Sequence, residues 1–341
     1  MGCIRFAVIG CGFIGRMHAE IIRSLPDTEL VGICTAHKEN GLALAKQWNC
    51  RYYPRYQDAL ADLNIDAVAI CTPTGLHHDV TLAAAKAGKH VLCEKPIDID
   101  CERAQEMIDC CRQNNIRFGV IMQHQFDEPI LLLKEAIKNG LLGHILWGAS
   151  RTIWYRDQKY YSNPWRGTWH FDGGGALINQ SIHYIDLMLS IMGKVHSLSA
   201  KCRTRLHQIE AEDIGIASLE FESGALGTIE GTTLSYPGLY AELAIFGERG
   251  TVIIRNDQLY FYSFQSGPDP SFEMLLNPEK ASLLHLDATI SDSSHRKQYQ
   301  DFILSIMKNR EPAVSGQDAL SSLYLIKAIY RASREQKEIL L

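Results

Sequence analysis

Two short segments hold residues whose types could move a proton and stabilise a developing negative charge. Cys93-Glu94-Lys95-Pro96 follows the apolar run His90 to Leu92. A lysine at the carboxyl end of a parallel strand can donate a hydrogen bond to a reacting oxygen as charge builds on it, and Pro96 stiffens the backbone beside it. The second segment is Gly173-Gly174-Gly175-Ala176-Leu177-Ile178-Asn179-Gln180-Ser181-Ile182-His183-Tyr184-Ile185-Asp186. Read as a helix entered through the glycines, it puts Asn179 and His183 one turn apart on one face, with Asp186 three residues further on. Histidine titrates near neutrality, so His183 suits proton transfer.

A third segment is built to bind. Gly10-Cys11-Gly12-Phe13-Ile14-Gly15 follows the apolar run Ile4 to Ile9 and opens a helical stretch, the context in which G-x-G-x-x-G marks a dinucleotide site. Gly10 permits the tight turn, Gly12 lets the backbone approach a pyrophosphate, and Gly15 allows helix and strand to pack closely. The phosphates would sit at the positive helix terminus. A strand that binds NAD usually ends in Asp or Glu, but Val31-Gly32-Ile33-Cys34 ends in Thr35. Thr35, His37 and Lys38 could accommodate a 2′-phosphate without the repulsion of a carboxylate, so the cofactor reading is NAD(P), leaning to NADP.

Arg151, Arg156, Lys159 and Arg166 are interleaved with Trp154, Tyr155, Tyr160, Tyr161, Trp165 and Trp169. Arginines grip phosphate or carboxylate bidentately, and aromatic faces suit the C–H surface of a sugar ring. Some of these rings must be core. His77-His78-Asp79 offers no third metal ligand at defined spacing, so no metal is expected.

The elements that must position these groups fall into two patterns. Through about residue 124, strand-like runs (Ile4 to Ile9, Leu30 to Cys34, Ala67 to Cys71, His90 to Leu92, Phe118 to Met122) alternate with helical stretches, which means βαβ units and a doubly wound parallel sheet. Beyond it, helices around Pro129 to Asn139 and Ala176 to Met192 precede five alternating runs between Val195 and Arg255, read as a large, mostly antiparallel open sheet in an α+β domain. The expected fold class is therefore α/β. It comprises a Rossmann domain over 1–124 and a substrate-binding and oligomerisation domain over 125–341, with a C-terminal helix able to pack back on the first. Residues 257–291 read as an irregular excursion around Gly267-Pro268-Asp269-Pro270, and helices resume at Ser294 to Asn309 and Gly316 to Gln336.

Together the glycine loop, Glu94-Lys95-Pro96 and the Gly-Gly-Gly-Ala-Leu…His block resemble the Gfo/Idh/MocA oxidoreductases along essentially the whole chain. That resemblance implies a pyridine-nucleotide enzyme acting on a secondary hydroxyl of a sugar or cyclitol, with Lys95 and His183 catalytic. It implies cofactor contacts from Gly10, Gly12, Phe13, Ile14, Gly15, Thr72, Pro73, His77, Glu94, Lys95 and Gln123. Substrate contacts would come from Asn179, Arg156, Arg166, Tyr161 and Trp165, and a homodimer or homotetramer would form through the C-terminal sheet. Many members carry Asp four residues before the histidine. Here Asn179 stands there, and an amide cannot take a proton as a carboxylate does, so the relay falls to His183. The Asn-Gln-x-x-His variant is similar to the branch with UDP-N-acetylglucosamine(uronate) 3-dehydrogenases, which points to a nucleotide-linked or anionic sugar. A redox-neutral NAD-dependent glycosidase or lyase, and a non-catalytic dinucleotide-sensing regulator, remain as alternatives.

Composition narrows the partners. With 34 basic and 39 acidic side chains the formal net charge is −5, which argues against nucleic acid as a ligand. No segment approaches the roughly 18 apolar residues of a membrane span. The opening Phe6-Ala7-Val8-Ile9 runs straight into glycines and is too short for a signal core, and the ten cysteines are scattered among apolar runs as free thiols are, so cytoplasm is the expected compartment.

Overall fold

In the computed structural model, residues 2–276 and 292–341 are described. The chain divides into two compact units, one built from residues 2–123 with 292–320, the other from 124–276 with 321–341.

The first unit carries β1 (Ile4–Ile9), α1 (Phe13–Ser24), β2 (Thr28–Cys34), α2 (Lys38–Trp48), β3 (Arg51–Tyr53), α3 (Tyr56–Leu60), β4 (Ala67–Ile70), α4 (His77–Lys86), β5 (His90–Cys93), α5 (Cys101–Gln113) and β6 (Phe118–Val120). The strands are parallel in the order β3-β2-β1-β4-β5-β6. Both faces of such a sheet are covered, which is why β4, Ala-Val-Ala-Ile, is apolar throughout and wholly buried. Strand order reverses between β1 and β4, and ligands of open α/β sheets bind beyond the carboxyl ends at that switch. The short β3 and α3 had no periodicity long enough to be read from sequence.

Helix α9 (Asp292–Met307) returns to this unit: Tyr299, Phe302 and Ile303 join the core with Phe6, Val8, Ile21 and Ile22, and Phe6 meets Tyr299 edge to face at 5.8 Å. The first unit is thus discontinuous in sequence, and the returning helix is the penultimate one. Helix α10 (Gly316–Glu335) begins in the first unit and continues into the second.

The second unit holds α6 (Glu128–Lys138), β7 (Ile145–Ile153), α7 (Ile182–Met192), β8 (Val195–Arg203), β9 (Ile214–Phe221), β10 (Leu226–Thr232), β11 (Ala241–Gly247), β12 (Gly250–Arg255), β13 (Gln258–Phe264), α8 (Pro270–Leu275) and β14 (Ile339–Leu340). Its eight-stranded sheet runs β13-β12-β11-β7-β10-β9-β8-β14, antiparallel except for the β7–β10 pair. Central β7 is absent from the sequence reading because its middle, Gly148-Ala149-Ser150, is small and mixed in polarity. Gly148 lets α7 pack closely on the strand: a Cβ there would lie 2.5 Å from the Met192 sulfur, which would have to move. The expected irregular excursion is corrected in part: residues 258–264 form an edge strand and 270–275 a helix capped by Asp269. The rest of that stretch, 277–291, lies outside the described residues.

Candidate functional site

At the switch point Gly10 adopts φ +99, and a Cβ there would lie 2.6 Å from the Cys71 carbonyl oxygen, so the loops after β1 and β4 meet backbone to backbone. A Cβ on Gly15 would fall 1.8 Å from the Gly10 oxygen. Gly12, in contrast, faces open space, and as N-cap of α1 it supplies no side-chain acceptor to the helix's first N–H groups. An uncapped helix start behind a bare backbone is a place for an anion. Phe13 is the exposed first residue of that helix, followed by Ile14.

Thr35 follows β2 half-buried, with its carbonyl accepting the Tyr52 hydroxyl, while His37 and Lys38 are exposed at the start of α2. Thr72 and Pro73 follow β4. The buried Thr72 hydroxyl and the Gln123 side-chain oxygen have no hydrogen-bond partner among the described residues. Two expected cofactor contacts turn inward instead. His77 is 1% exposed, and its ring nitrogens each lie 2.9 Å from a carbonyl oxygen, of Pro96 and of Thr72, so it braces the loop. Glu94 points into the unit: its carboxylate accepts from the Lys95 N–H at 3.0 Å and pairs with His18 at 2.9 Å. Burial opposes its ionisation, but the hydrogen bond from His18 and the positive charge of Lys95 help to outweigh it and hold the carboxyl down at about 2.

The second unit presents the other chemistry. A π-helical turn, Leu177–Ser181, leads into α7, so the expected uniform α-helix is corrected: the wider turn changes the angular offset between Asn179 and His183. The turn is anchored from outside. Glu212, 3% exposed, accepts the Gly175 N–H at 3.0 Å, the Leu177 N–H at 2.9 Å and the Tyr330 hydroxyl at 2.9 Å. Gly175 packs so closely that a Cβ would sit 1.8 Å from the Glu212 carbonyl oxygen.

The Asn179 amide donates to Asp172 at 2.6 Å, and Asp172 also accepts the Gly167 N–H at 2.8 Å. A carboxylate only accepts, so the NH2 faces Asp172. His183 is half-buried, its ring edge-on to His124 at 5.0 Å. His124 in turn is held by Asp127 at 2.7 Å and Asp257 at 3.1 Å. Asp186 is buried and bonded to Gln125 and Ser322, a structural role.

Arg166 lies 3.9 Å over the Tyr160 ring and 5.1 Å from Trp165; Arg156 lies 5.3 Å from both Trp154 and Tyr160. Neither guanidinium is paired with a carboxylate among the described residues. Tyr161 departs from expectation: it is 8% exposed and its hydroxyl is engaged by Thr233 at 2.8 Å, so it supports the loop from beneath. His18, His124 and Asp172 escaped the sequence reading. A histidine three residues past Gly15 and an acid directly before the glycine triplet were the available signals for two of them, while His124 had none.

The family described as "Oxidoreductase family, NAD-binding Rossmann fold" matches residues 4–122, and its C-terminal alpha/beta domain matches residues 134–341. The chain belongs to the Gfo/Idh/MocA family. Among Gfo/Idh/MocA relatives, the myo-inositol 2-dehydrogenase of Thermotoga maritima is 26% identical over 346 residues, 98% of each chain. The WlbA dehydrogenase of Bordetella pertussis, solved in complex with NADH and UDP-GlcNAcA, is 34% identical with a TM-score of 0.91, covering 100% of this chain and 98% of that one. Levoglucosan dehydrogenase shares the fold at a TM-score of 0.86 and 22% identity, over 99% of each chain.

Within this Gfo/Idh/MocA chain, Glu212 beneath the π turn yields a pH signature. Burial pushes its carboxyl up to about 7, against the lowering effect of its hydrogen-bond donors. A raised folded-state pKa stabilises most below the unfolded value near 4.5 and is lost as pH rises through about 7. Across that window Glu212 should withdraw about 3 kcal/mol of folding stability, because each pH step between the two values costs about 1.4 kcal/mol. Denaturant melts of wild type and Glu212→Gln from about pH 5 to 8 check this: the difference between them should slope over that range, and parallel curves would refute it.

Proposed function

We propose that this oxidoreductase is a NAD(P)-dependent dehydrogenase of a secondary hydroxyl on a sugar bearing an anionic or nucleotide-linked group. The observation that carries the substrate class is the pair of arginines, Arg156 and Arg166, stacked on aromatic rings with no carboxylate partner among the described residues. Unpaired guanidinium groups on aromatic planes suit a phosphate or carboxylate attached to a ring with apolar C–H faces. The likeness to WlbA, solved with UDP-GlcNAcA, supports the same class.

In the proposed reaction His183 takes the proton of the hydroxyl, and its carbon-bound hydrogen leaves as hydride to the nicotinamide. Lys95 stabilises the alkoxide as it forms. Asn179, held by Asp172, orients the substrate by hydrogen bonds. NAD and NADP are both assigned as cofactors: Thr35 removes the carboxylate that would repel a 2′-phosphate, while the WlbA relative is described with NADH. The test is a panel of NAD and NADP crossed with UDP-linked uronates, neutral UDP-sugars, free sugars and inositols, read as reduced nicotinamide. Preference for the UDP-linked uronate is expected. Faster turnover of neutral free sugars would overturn the anionic assignment, and release of a glycosidic leaving group without net reduction would favour the redox-neutral alternative.

The outer face of the second unit's sheet is proposed as the surface of a homo-oligomer. Trp147 and Phe246 stack in parallel at 4.1 Å beside exposed Leu226, exposed Ile216 and Phe261 share the same face, and Arg151 and Arg255 ion-pair with Glu230 and Glu242. An exposed apolar patch of this kind marks an interface. Trp147→Asp should lower the sedimenting mass to that of one chain; an unchanged mass would count against it.

A further inference from the structure

The dinucleotide helix and the strand end bearing Lys95 are joined by a buried polar chain that the reaction above leaves unused. His18, in the second turn of α1, is 1% exposed. One ring nitrogen lies 2.9 Å from the Glu94 carboxylate, and the other 2.7 Å from the Tyr299 hydroxyl of α9. Glu94 spends its second oxygen on the Lys95 N–H at 3.0 Å. Tyr299 is fully buried, and His295 of the same helix stands edge-on to His18 at 5.9 Å. On the opposite side His77 ties Pro96 to the Thr72 carbonyl. The backbone around Lys95 is therefore clamped from two directions, and one of the clamps is a histidine on the helix that would receive the pyrophosphate.

The hydrogens can be placed from chemistry alone. The carboxylate only accepts, so the ring nitrogen facing it donates. A hydroxyl facing the other nitrogen can donate to it, which gives a fully satisfied chain: Tyr299 O–H to His18, His18 N–H to Glu94, and Lys95 N–H to Glu94. A satisfied buried network is stiff, and losing one member leaves the others unpaired where water does not reach. The charged and titratable groups facing the network are Lys95 and Cys93 at the end of β5, Cys71 at the end of β4, and His295 and Tyr299 of α9. The Cys71 and Cys93 thiols are both held up by burial and so stay neutral.

We propose that His18 is a positioning residue for Lys95: by holding Glu94 it fixes the lysine's backbone and keeps a negative charge beside the ammonium, coupling the cofactor helix to the reacting strand end. The inference rests on the dehydrogenase reading only for what Lys95 does. Its placement is independent of any substrate.

The test uses His18→Leu, which removes the donor toward Glu94, Glu94→Gln, and the double variant, each in the full chain. The first readout needs no turnover: competitive acetylation of Lys95 by acetic anhydride, followed by mass spectrometry across pH. Loss of a fixed carboxylate disfavours the ammonium, so the midpoint for Lys95 should fall by about half a pH unit or more in both single variants. The second readout is steady-state kinetics with the best substrate of the panel. Here kcat should fall about tenfold while the dinucleotide KM stays within about twofold, and the double variant should lose no more than Glu94→Gln alone because the two residues act as one unit. An unchanged acetylation midpoint in His18→Leu overturns the proposal, as does a dinucleotide KM that rises in step with the loss of kcat. If wild type turns over none of the sugars, the dehydrogenase reading fails while the acetylation result still decides the role of His18.

Discussion

Lys95→Met should abolish sugar-dependent reduction of the dinucleotide, with kcat falling by about 10²–10³-fold, the usual loss when a donor to a developing oxyanion is removed. Methionine keeps the length and apolar stem of lysine but offers no N–H. The Glu94 carboxylate would keep its bonds to the residue 95 backbone and to His18, so the strand end should hold its shape. Binding of reduced dinucleotide, followed by its fluorescence, should stay within about threefold, because the lost interaction belongs to the transition state. Turnover at the wild-type rate would remove Lys95 from the chemistry.

The second large effect is expected at His183. His183→Asn retains a polar side chain but cannot hold the proton of the substrate hydroxyl, so kcat/KM should fall roughly 10²–10⁴-fold, the range for losing a positioned general base. The pH profile sharpens the test. In wild type the oxidation rate should rise with pH as the imidazole becomes free to accept, and that acid limb should vanish in the variant. His124, edge-on at 5.0 Å and held by Asp127 and Asp257, is the group best placed to supply residual activity, so His124→Phe in the His183→Asn background should remove what remains. A limb that persists in His183→Asn would move the base elsewhere.

The parts of this site legible in the sequence were those where backbone geometry restricts residue choice. Gly10 and Gly15 leave no room for a Cβ, and Glu94-Lys95-Pro96 stands at a strand end defined by an apolar run. What stayed hidden depends on tertiary contact. Asn179 could be placed near His183, but the carboxylate orienting it, Asp172, reaches it only through the fold of the glycine entry. Nothing in the spacing of Leu177 to Ser181 distinguishes a π turn from an α-helical one; its N-terminal N–H groups are bound by Glu212, which comes 31 residues after Ser181 in the chain. Tyr161 looked like its aromatic neighbours because composition does not separate a ring under a loop from one on top of it. β7 escaped because a strand packed closely against a helix needs small residues, and small residues carry little periodic signal.

The return of α9 to the first unit bears on how the protein comes off the ribosome. Tyr299, Phe302 and Ile303 complete the core around Phe6 and Ile22, so the nucleotide-binding unit, although encoded first, stays open along one side until nearly nine-tenths of the chain has emerged. The usual vectorial order, in which an N-terminal domain closes before the next is made, is unavailable to it. A truncated product ending after β6 would leave Phe6 bare and His18 without its tyrosine, making it a substrate for chaperones and proteases rather than a miniature binding domain.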